Sequence, residues 1–483
     1  MIKIRQNKYT DYVVISLFSI ISGYFLYSGN TKLQVLMSGS VIGLLFLYIL
    51  FFYRNLGIKL LIIFTPLSIS IGNNGAGIIS FPTEIGSFLL FGISIILVFL
   101  GKNIPRKIWT HPISILLLLD LGVYLVATVF SSLPEISIKR LVIRTVFIGV
   151  YFFSFTYWLQ KERKLNHLFV LYAIGLTIPI IYTLIIHSAY DYSQFSSFLM
   201  GVPFYTEHTV FGACIAFVIP FLAKYIFDSK SKSIANKALI FSLFILLFIT
   251  LILTYSRASW ISVIAVLLFS IGLKYRIKMK HIILILTLIS SVVYVNFDSL
   301  IHKAQAKELK TSGNLQQHLM TVGALQNEAS NQERINRWVS ATRMFKERPL
   351  TGFGPGTYQF KYGPFQSLKY KTRISTNFGD RGTAHSEYFT ALSETGIFGF
   401  ILFFILVFYS LNLGMKLYYK LDNNSKYKVA VYGAMCGLLT FYIHGLFNNF
   451  LDTEKMSILV YGSLAVLVAI DLMGNKNEIQ SEN

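Results

Sequence analysis

Residues 238–273 read ALIFSLFILLFITLILTYSRASWISVIAVLLFSIGL, an apolar run of 36 residues with one polar break at Thr254-Tyr255-Ser256-Arg257. A single helix of this length would extend about 54 Å, whereas the hydrocarbon core of a bilayer is about 30 Å thick. The run therefore predicts two membrane-spanning helices that reverse direction near Arg257. The reversal would place this arginine at a membrane boundary, where it either snorkels toward water or serves a function.

Similar apolar runs recur along the chain, which has 483 residues, of which 54% are hydrophobic and 13% charged. Backbone polar groups must be satisfied internally in lipid, so such runs form helices. The sequence predicts an all-α integral membrane protein with about 14 transmembrane helices. The predicted spans are centred near Phe18, Leu44, Ile63, Ile95, Leu119, Phe147, Ile174, Ala216, Leu246, Val266, Leu286, Phe404, Leu438 and Leu464.

The net charge of +21 would suggest nucleic-acid binding in a soluble protein. Here most Lys and Arg residues lie in short segments between alternate apolar runs, which is typical of cytoplasmic loops. The intervening segments 72–84 and 187–208 contain no Lys or Arg. The pattern predicts a multi-pass protein of the bacterial inner (cytoplasmic) membrane with both termini in the cytoplasm, and no nucleic-acid partner.

The longest polar stretch, Asp298–Ala384, has 87 residues and falls on the periplasmic side in this orientation. We predict transmembrane helices 1–11 in residues 1–297, a large periplasmic loop in 298–384, helices 12–14 in 385–473 and a cytoplasmic tail in 474–483. The loop contains 13 basic and 6 acidic residues, a balance of +7. These charges could form a solvated face near anionic headgroups or bind a phosphate-bearing ligand.

An amphipathic helix is predicted within this loop at Asn331–Arg348. Ser330-Asn331-Gln332-Glu333 fits a capping box, and Pro349 ends the helix. Arg334 and Trp338 lie one turn apart and project from the same side. The apolar face at helical spacing consists of Ile335, Trp338, Val339, Thr342 and Phe345.

The glycine turn Gly352-Phe353-Gly354-Pro355-Gly356 follows this helix. Its backbone N–H groups could bind an anion, or the turn could simply redirect the chain. The turn lacks the Lys-Ser/Thr of a P-loop, which excludes a nucleotide motif of that kind.

Several ionisable residues lie on the same predicted side. His385 begins the return to the membrane, and histidine can exchange protons near neutral pH, which makes it a candidate general base. His208 and His444 are weaker candidates, because each is also compatible with an ordinary loop role. Arg140 is either a snorkelling residue or a ligand for a phosphate group.

These elements together resemble the O-antigen ligase and O-antigen polymerase superfamily of bacterial membrane glycosyltransferases. The resemblance covers about Ala238–Gly399, and one departure is Phe400, where ligases often have Thr. The residues that carry it are Ser256-Arg257-Ala258-Ser259-Trp260, Arg334-x-x-x-Trp338-x-x-Ala341, Pro349-Leu350-Thr351-Gly352-Phe353-Gly354, His385-Ser386 and Gly396-x-x-Gly399.

The resemblance implies a GT-C-like enzyme that moves a glycan from undecaprenyl diphosphate to an acceptor sugar, such as lipid A core, without a cofactor or metal. Arg257 and Arg334 match the family's arginines and would stabilise the departing diphosphate. His385 matches the family's histidine and would deprotonate or orient the acceptor hydroxyl. An inverting single displacement needs no enzyme nucleophile. The expected partners are the lipid-linked donor, the acceptor and membrane lipids.

Sequence alone leaves other functions open. A polymerase would use another repeat unit as acceptor, and an oligosaccharyltransferase would use a protein side chain. A flippase for lipid-linked oligosaccharides would also bind diphosphate, but it needs charges deep in a central cavity, and the predicted spans are mostly free of charge at their centres. A component that binds or assembles polysaccharide without catalysis is a further alternative.

Overall fold

The computed structural model describes residues 48–71, 79–101, 104–194, 196–228, 234–295, 332–372, 375, 382–423, 425 and 427–474, with scattered positions before residue 48. The predicted spans near Phe18 and Leu44, the first part of the predicted loop and the predicted tail after residue 474 lie outside the described residues.

The described chain is mostly helical, with short 3₁₀ turns and one π segment, Ile148–Ser154, that joins two helices. Its helices are α1 Arg54–Phe64, α2 Thr83–Phe99, α3 Arg106–Trp109, α4 Pro112–Val129, α5 Pro134–Phe147, α6 Phe155–Glu162, α7 His167–Ser188, α8 His208–Asp228, α9 Ile234–Leu253, α10 Arg257–Lys274, α11 Met279–Val295, α12 332–347, α13 Tyr358–Lys361, α14 Glu387–Lys420, α15 Lys428–His444 and α16 Glu454–Gly474.

Among the described residues, 7 helices are long and apolar enough to cross a membrane, namely α4, α7, α8, α9, α10, α14 and α16. Each coincides with a predicted span. The predicted spans near Ile95, Leu286 and Leu438 coincide with α2, α11 and α15, which have 17 residues each. The total of about 14 spans remains a prediction.

The predicted helix break at Arg257 is confirmed. Helix α9 ends at Leu253 and α10 begins at Arg257, while Tyr255 between them adopts a left-handed conformation with φ of 51°. The indole N–H of Trp260 donates to the carbonyl of Leu251 at 3.0 Å and ties the two helices together across the turn.

The all-α prediction needs one correction between α1 and α2. Strand β1, Ile69–Ile71, pairs antiparallel with β2, Ile79–Phe81, with Ser70 opposite Ser80. The β-branched residues of this segment favour an extended backbone. The hydrogen bonds between the two strands satisfy backbone N–H and C=O groups that would be paired within a helix if this segment were helical.

Helix α16 lies at the centre of the bundle, because every residue from Glu454 to Ile470 is buried. Asp120 lies midway along α4 and is buried against Arg144, with Nε to Oδ2 at 2.8 Å. Asp120 is thus an exception to the expectation that span centres are mostly free of charge. Because the Asp120 carboxylate is paired with Arg144, the ion pair links α4 to α5.

Four junctions come together at one end of the bundle, which we call the site end. They are residues 130–133 between α4 and α5, 254–256 between α9 and α10, 383–386 before α14, and 445–453 between α15 and α16. Helix α12 and the glycine turn pack on this end, where the Ser132 amide donates to the Phe353 carbonyl at 2.9 Å.

Candidate active site

Helix α12 spans residues 332–347, so the predicted helix and its end before Pro349 are confirmed. Its buried face differs from the predicted one. The expected apolar residues are all half-buried, whereas the fully buried face consists of Glu333, Asn336, Arg337, Ser340, Ala341 and Met344. The predicted capping residues Ser330 and Asn331 lie outside the described residues.

Polar contacts hold this face of α12. Arg337 pairs with Glu333 at 2.9 Å and donates through Nη1 to the Thr383 carbonyl at 2.9 Å. The Ser367 amide donates to the side-chain oxygen of Asn336 at 3.1 Å. Glu333 also accepts from the Ser375 hydroxyl. Helix α12 is thereby fixed to the segment that leads into His385.

His385 occupies a sharp corner with φ of 49°, which is uncommon for a residue with a side chain. The indole N–H of Trp338 donates to the His385 carbonyl at 3.4 Å, and the indole stacks on Phe389 with centroids 5.5 Å apart. Burial, followed by the charges of Arg337 and Arg334, lowers the pKa of His385 to about 3. The imidazole is therefore neutral but a weak base in the ligand-free protein.

Arg334 lies on the half-buried side of α12 and interacts electrostatically with Arg257. Burial and then the like charge of Arg257 lower the pKa of Arg334, while Glu207 opposes the shift. Its Nε atom is buried without a hydrogen-bond partner among the described residues. His208 and His444 are also within the electrostatic reach of Arg334.

Arg257 is exposed at the first position of α10, and Ser256 before it is the N-cap residue. Helix α8 approaches this corner closely, since a Cβ on Gly212 would lie 2.9 Å from the Ser259 hydroxyl. The absence of a side chain at Gly212 thus allows the helix that begins at His208 to pack beside Arg257.

The glycine turn does not offer its N–H groups to an external anion. The amide of Gly352 donates to the Arg348 carbonyl at 3.0 Å and that of Gly354 to the Glu394 carbonyl at 2.9 Å. The Glu394 carboxylate accepts from the amides of Gly356 at 2.7 Å and Tyr358 at 3.0 Å. The anion in this turn is therefore the protein's own carboxylate, so Gly354 has no free N–H for a phosphate group.

Helix α14 is kinked at Gly396, a position that requires a glycine. Its φ of 70° and ψ of −161° kink the helix, and a Cβ there would lie 2.5 Å from the Leu350 carbonyl oxygen. The amide that follows, of Ile397, donates to the Pro349 carbonyl at 2.9 Å. The kink docks the end of α12 onto the bundle.

We expect Gly352→Ala to destabilise the protein by about 2 kcal/mol or more, because φ is +66° and the added Cβ would lie 2.4 Å from the Glu394 backbone. The matched control is Gly122→Ala in α4, where nothing lies within 4 Å of the added Cβ. The thermal midpoints of the purified variants check this. Equal midpoints for Gly352→Ala and the wild type would contradict a tight-turn role.

Arg140 packs beside the glycine turn, since a Cβ on Gly356 would lie 2.6 Å from its Cγ atom. Its guanidinium pairs with Asp452 at 3.3 Å, and Arg144 approaches the same carboxylate at 3.9 Å. The positive charge of Arg140 is therefore already balanced, and the residue fixes the loop 445–453 against α5. The structure groups Arg257, Arg334 and His385 with His208 and His444, but not with Arg140.

Sequence reasoning missed three residues at the site end. They are Arg337, Glu394 and Asn448. Glu394 lies at the start of an apolar run, where an ionisable residue is a functional candidate. The Asn448 side chain interacts with His385 and partly offsets the fall in the pKa of that histidine.

Within the part of the chain that the structure describes, no group of three or more His, Cys, Asp or Glu residues could hold a metal ion. The metal independence of the reaction stays a prediction.

Residues 242–404 match the O-antigen ligase family. This matched part, about a third of the chain, is a region similar to O-antigen ligases. The matched region of this ligase-like chain runs from α9 to α14 and contains Arg257, Arg334, His385 and Glu394, whereas His208 and His444 lie outside it. No curated protein matches the chain.

The O-antigen ligase domain match supports a ligase- or polymerase-like function, and together with the apolar helices it indicates a multi-pass membrane protein. A glycosyltransferase of this type has a lipid-linked glycan and an acceptor as its partners.

Proposed function

We propose that this chain transfers a glycan from undecaprenyl diphosphate to an acceptor hydroxyl at the periplasmic face of the bacterial inner membrane. The observation that carries the proposal is the pair Arg257 and Arg334. They come from different elements, repel each other, and leave the Arg334 Nε atom buried without a partner among the described residues. A bound anion would offset the repulsion between the two arginines and give the buried Nε atom a hydrogen-bond partner. A diphosphate suits this role because its oxygens can accept two hydrogen bonds from one planar guanidinium group.

In the proposed reaction, the acceptor oxygen attacks the anomeric carbon of the donor sugar from the face opposite the leaving group. The new carbon–oxygen bond forms as the bond to the diphosphate breaks, and the diphosphate leaves with the electron pair. Arg257 and Arg334 stabilise the charge that develops on it. His385 takes the proton of the acceptor hydroxyl, with Trp338 and Arg337 holding its corner in place.

The acceptor distinguishes the two versions of this function. Lipid A core as acceptor would make the chain a ligase, and a second repeat unit would make it a polymerase. The donor chemistry and the roles of Arg257, Arg334 and His385 are the same in both.

The direct test uses the purified full-length protein in lipid nanodiscs. Lipid-linked glycan is extracted from cells that lack this gene and supplied with either lipid A core or more of the same lipid-linked glycan. We expect release of undecaprenyl diphosphate together with a new glycosidic bond. Binding of the lipid without any new bond, with both acceptors present, would favour a flippase or a binding component.

For Arg257→Lys we expect transfer to fall about 10-fold or more, because a lysine keeps the charge but loses the bidentate contact. The initial rate of transfer in nanodiscs checks this. The matched control is Arg276→Lys, beyond the opposite end of α10, which should keep the wild-type rate. An unchanged rate for Arg257→Lys would indicate a snorkelling residue instead.

A further inference from the structure

The junction between α15 and α16 carries buried polar side chains that the described structure leaves unsatisfied. His444 and Asn448 are each only 2% exposed, yet His444 Nε2 and Asn448 Nδ2 have no hydrogen-bond partner among the described residues. The side-chain oxygen of the adjacent Asn449 is also buried and without a partner there. We call these three residues the His444 wall. Buried polar atoms in native proteins are normally paired, so three such atoms in six residues need an explanation.

Hydrogen bonds and an ion pair hold the backbone around the His444 wall in place. The amide of Asn448 donates to the His444 carbonyl at 3.1 Å, and the amide of Leu451 donates to the Glu387 carboxylate at 2.7 Å. Asp452 pairs with Arg140 on α5. On the other side, the Glu387 amide donates to the Gly445 carbonyl at 2.8 Å. The backbone is thus held at both ends of the junction, and the unpaired side-chain atoms occupy fixed positions.

The wall borders the proposed reaction centre. Arg334 acts electrostatically on His444, and the Asn448 side chain interacts with His385. The wall is therefore next to both the proposed diphosphate-binding arginine and the proposed base.

The chemistry of the wall differs from that of the arginines. An amide group both donates and accepts hydrogen bonds, and a neutral imidazole donates through one nitrogen and accepts through the other. A sugar hydroxyl also donates and accepts, whereas a phosphate group only accepts. Neutral groups of this kind suit hydroxyls, and the cationic groups beside them suit phosphate.

We propose that the His444 wall is a hydroxyl-binding subsite that holds the first sugar of the donor beside the diphosphate. This inference rests on the proposed function. It divides the site into a charged half, Arg257 and Arg334, for the diphosphate and a neutral half for the sugar ring.

The test compares binding of two lipids to the full-length protein in nanodiscs. One probe is undecaprenyl diphosphate without sugar, and the other is the lipid-linked glycan extracted from cells that lack this gene. Wild-type protein should bind the glycan-bearing lipid more tightly. Asn448→Ala and His444→Gln should each lose about fivefold or more of that affinity while binding bare undecaprenyl diphosphate as before.

The matched control is Asn166→Ala at the start of α7, another asparagine with a buried, unpaired oxygen. It should bind both lipids as the wild type does. Equal loss for both lipids in Asn448→Ala and His444→Gln, or no loss for either, would overturn the subsite. Equal binding of the two lipids by the wild type would do the same. Failure of the wild type to bind bare undecaprenyl diphosphate would instead overturn the proposed function.

Discussion

His385→Asn is expected to reduce glycan transfer by about 10²–10⁴-fold, the usual contribution of a general base. Asparagine tolerates the left-handed backbone that His385 adopts, with φ of 49°, but it cannot accept a proton. This variant therefore separates loss of the base from strain at the corner, whereas an alanine there would combine the two. The initial rate of transfer at saturating donor and acceptor checks the prediction.

The matched control is His167→Asn, because His167 begins α7 and is half-buried, as His385 is. Its transfer rate should stay within about twofold of wild type, since it has no role in the proposed step. A His385→Asn protein with wild-type thermal midpoint and wild-type rate would remove His385 from the mechanism.

The pH dependence of the transfer rate provides a second test of His385 as the base. Burial and the charges of Arg337 and Arg334 lower the pKa of His385 to about 3, so the ligand-free protein holds a neutral but weak base. A bound diphosphate places negative charge near the same arginines and raises the pKa of His385. Because kcat/KM reports the free enzyme, it should show no loss near pH 6.5 on acidification. In contrast, kcat should begin to fall at a higher pH than kcat/KM does.

Local patterns in the sequence were sufficient to predict several of the helices and two of the helix ends. The apolar run 238–273 is too long for one span, and the structure breaks it at Arg257. Pro349 cannot continue a helix, and α12 ends before it. The order and spacing of Arg257, Arg334 and His385 also pointed to the family that residues 242–404 match.

Long-range polar contacts could not be predicted in the same way. The buried face of α12 is held by Thr383 and Ser367, which lie more than 25 residues away along the chain. The glycine turn resembles an anion site because it does bind an anion, but the anion is Glu394, 38 residues beyond Gly356. Hydropathy and helical period carry no information about such pairings. For this reason the buried face of α12 was predicted wrongly, and the internal partner of the Gly354 amide was not foreseen.

Arg334→Ala is expected to lower transfer by about 10²–10³-fold, the cost of removing one group that stabilises charge developing in a transition state. The same substitution should not destabilise the ligand-free protein, although it lowers the transfer rate. The wild type keeps Arg334 half-buried beside Arg257 with an unpaired Nε, so removal relieves both repulsion and desolvation. We therefore expect the thermal midpoint of the ligand-free variant to equal or exceed that of the wild type, whereas the rise caused by undecaprenyl diphosphate should disappear.

The comparison that decides between a specific anion site and a generally basic face is Arg343→Ala. Arg343 lies on the same helix, but it is exposed and donates to the Phe365 and Gln366 carbonyls at 3.2 and 3.0 Å. If the loop acted only through its overall positive charge, both substitutions would reduce transfer equally and more salt would reduce it further. We expect Arg343→Ala to keep the transfer rate and the lipid-induced stabilisation that Arg334→Ala loses. Arg334, unlike Arg343, is repelled by a second arginine and has a buried Nε atom that is unpaired among the described residues.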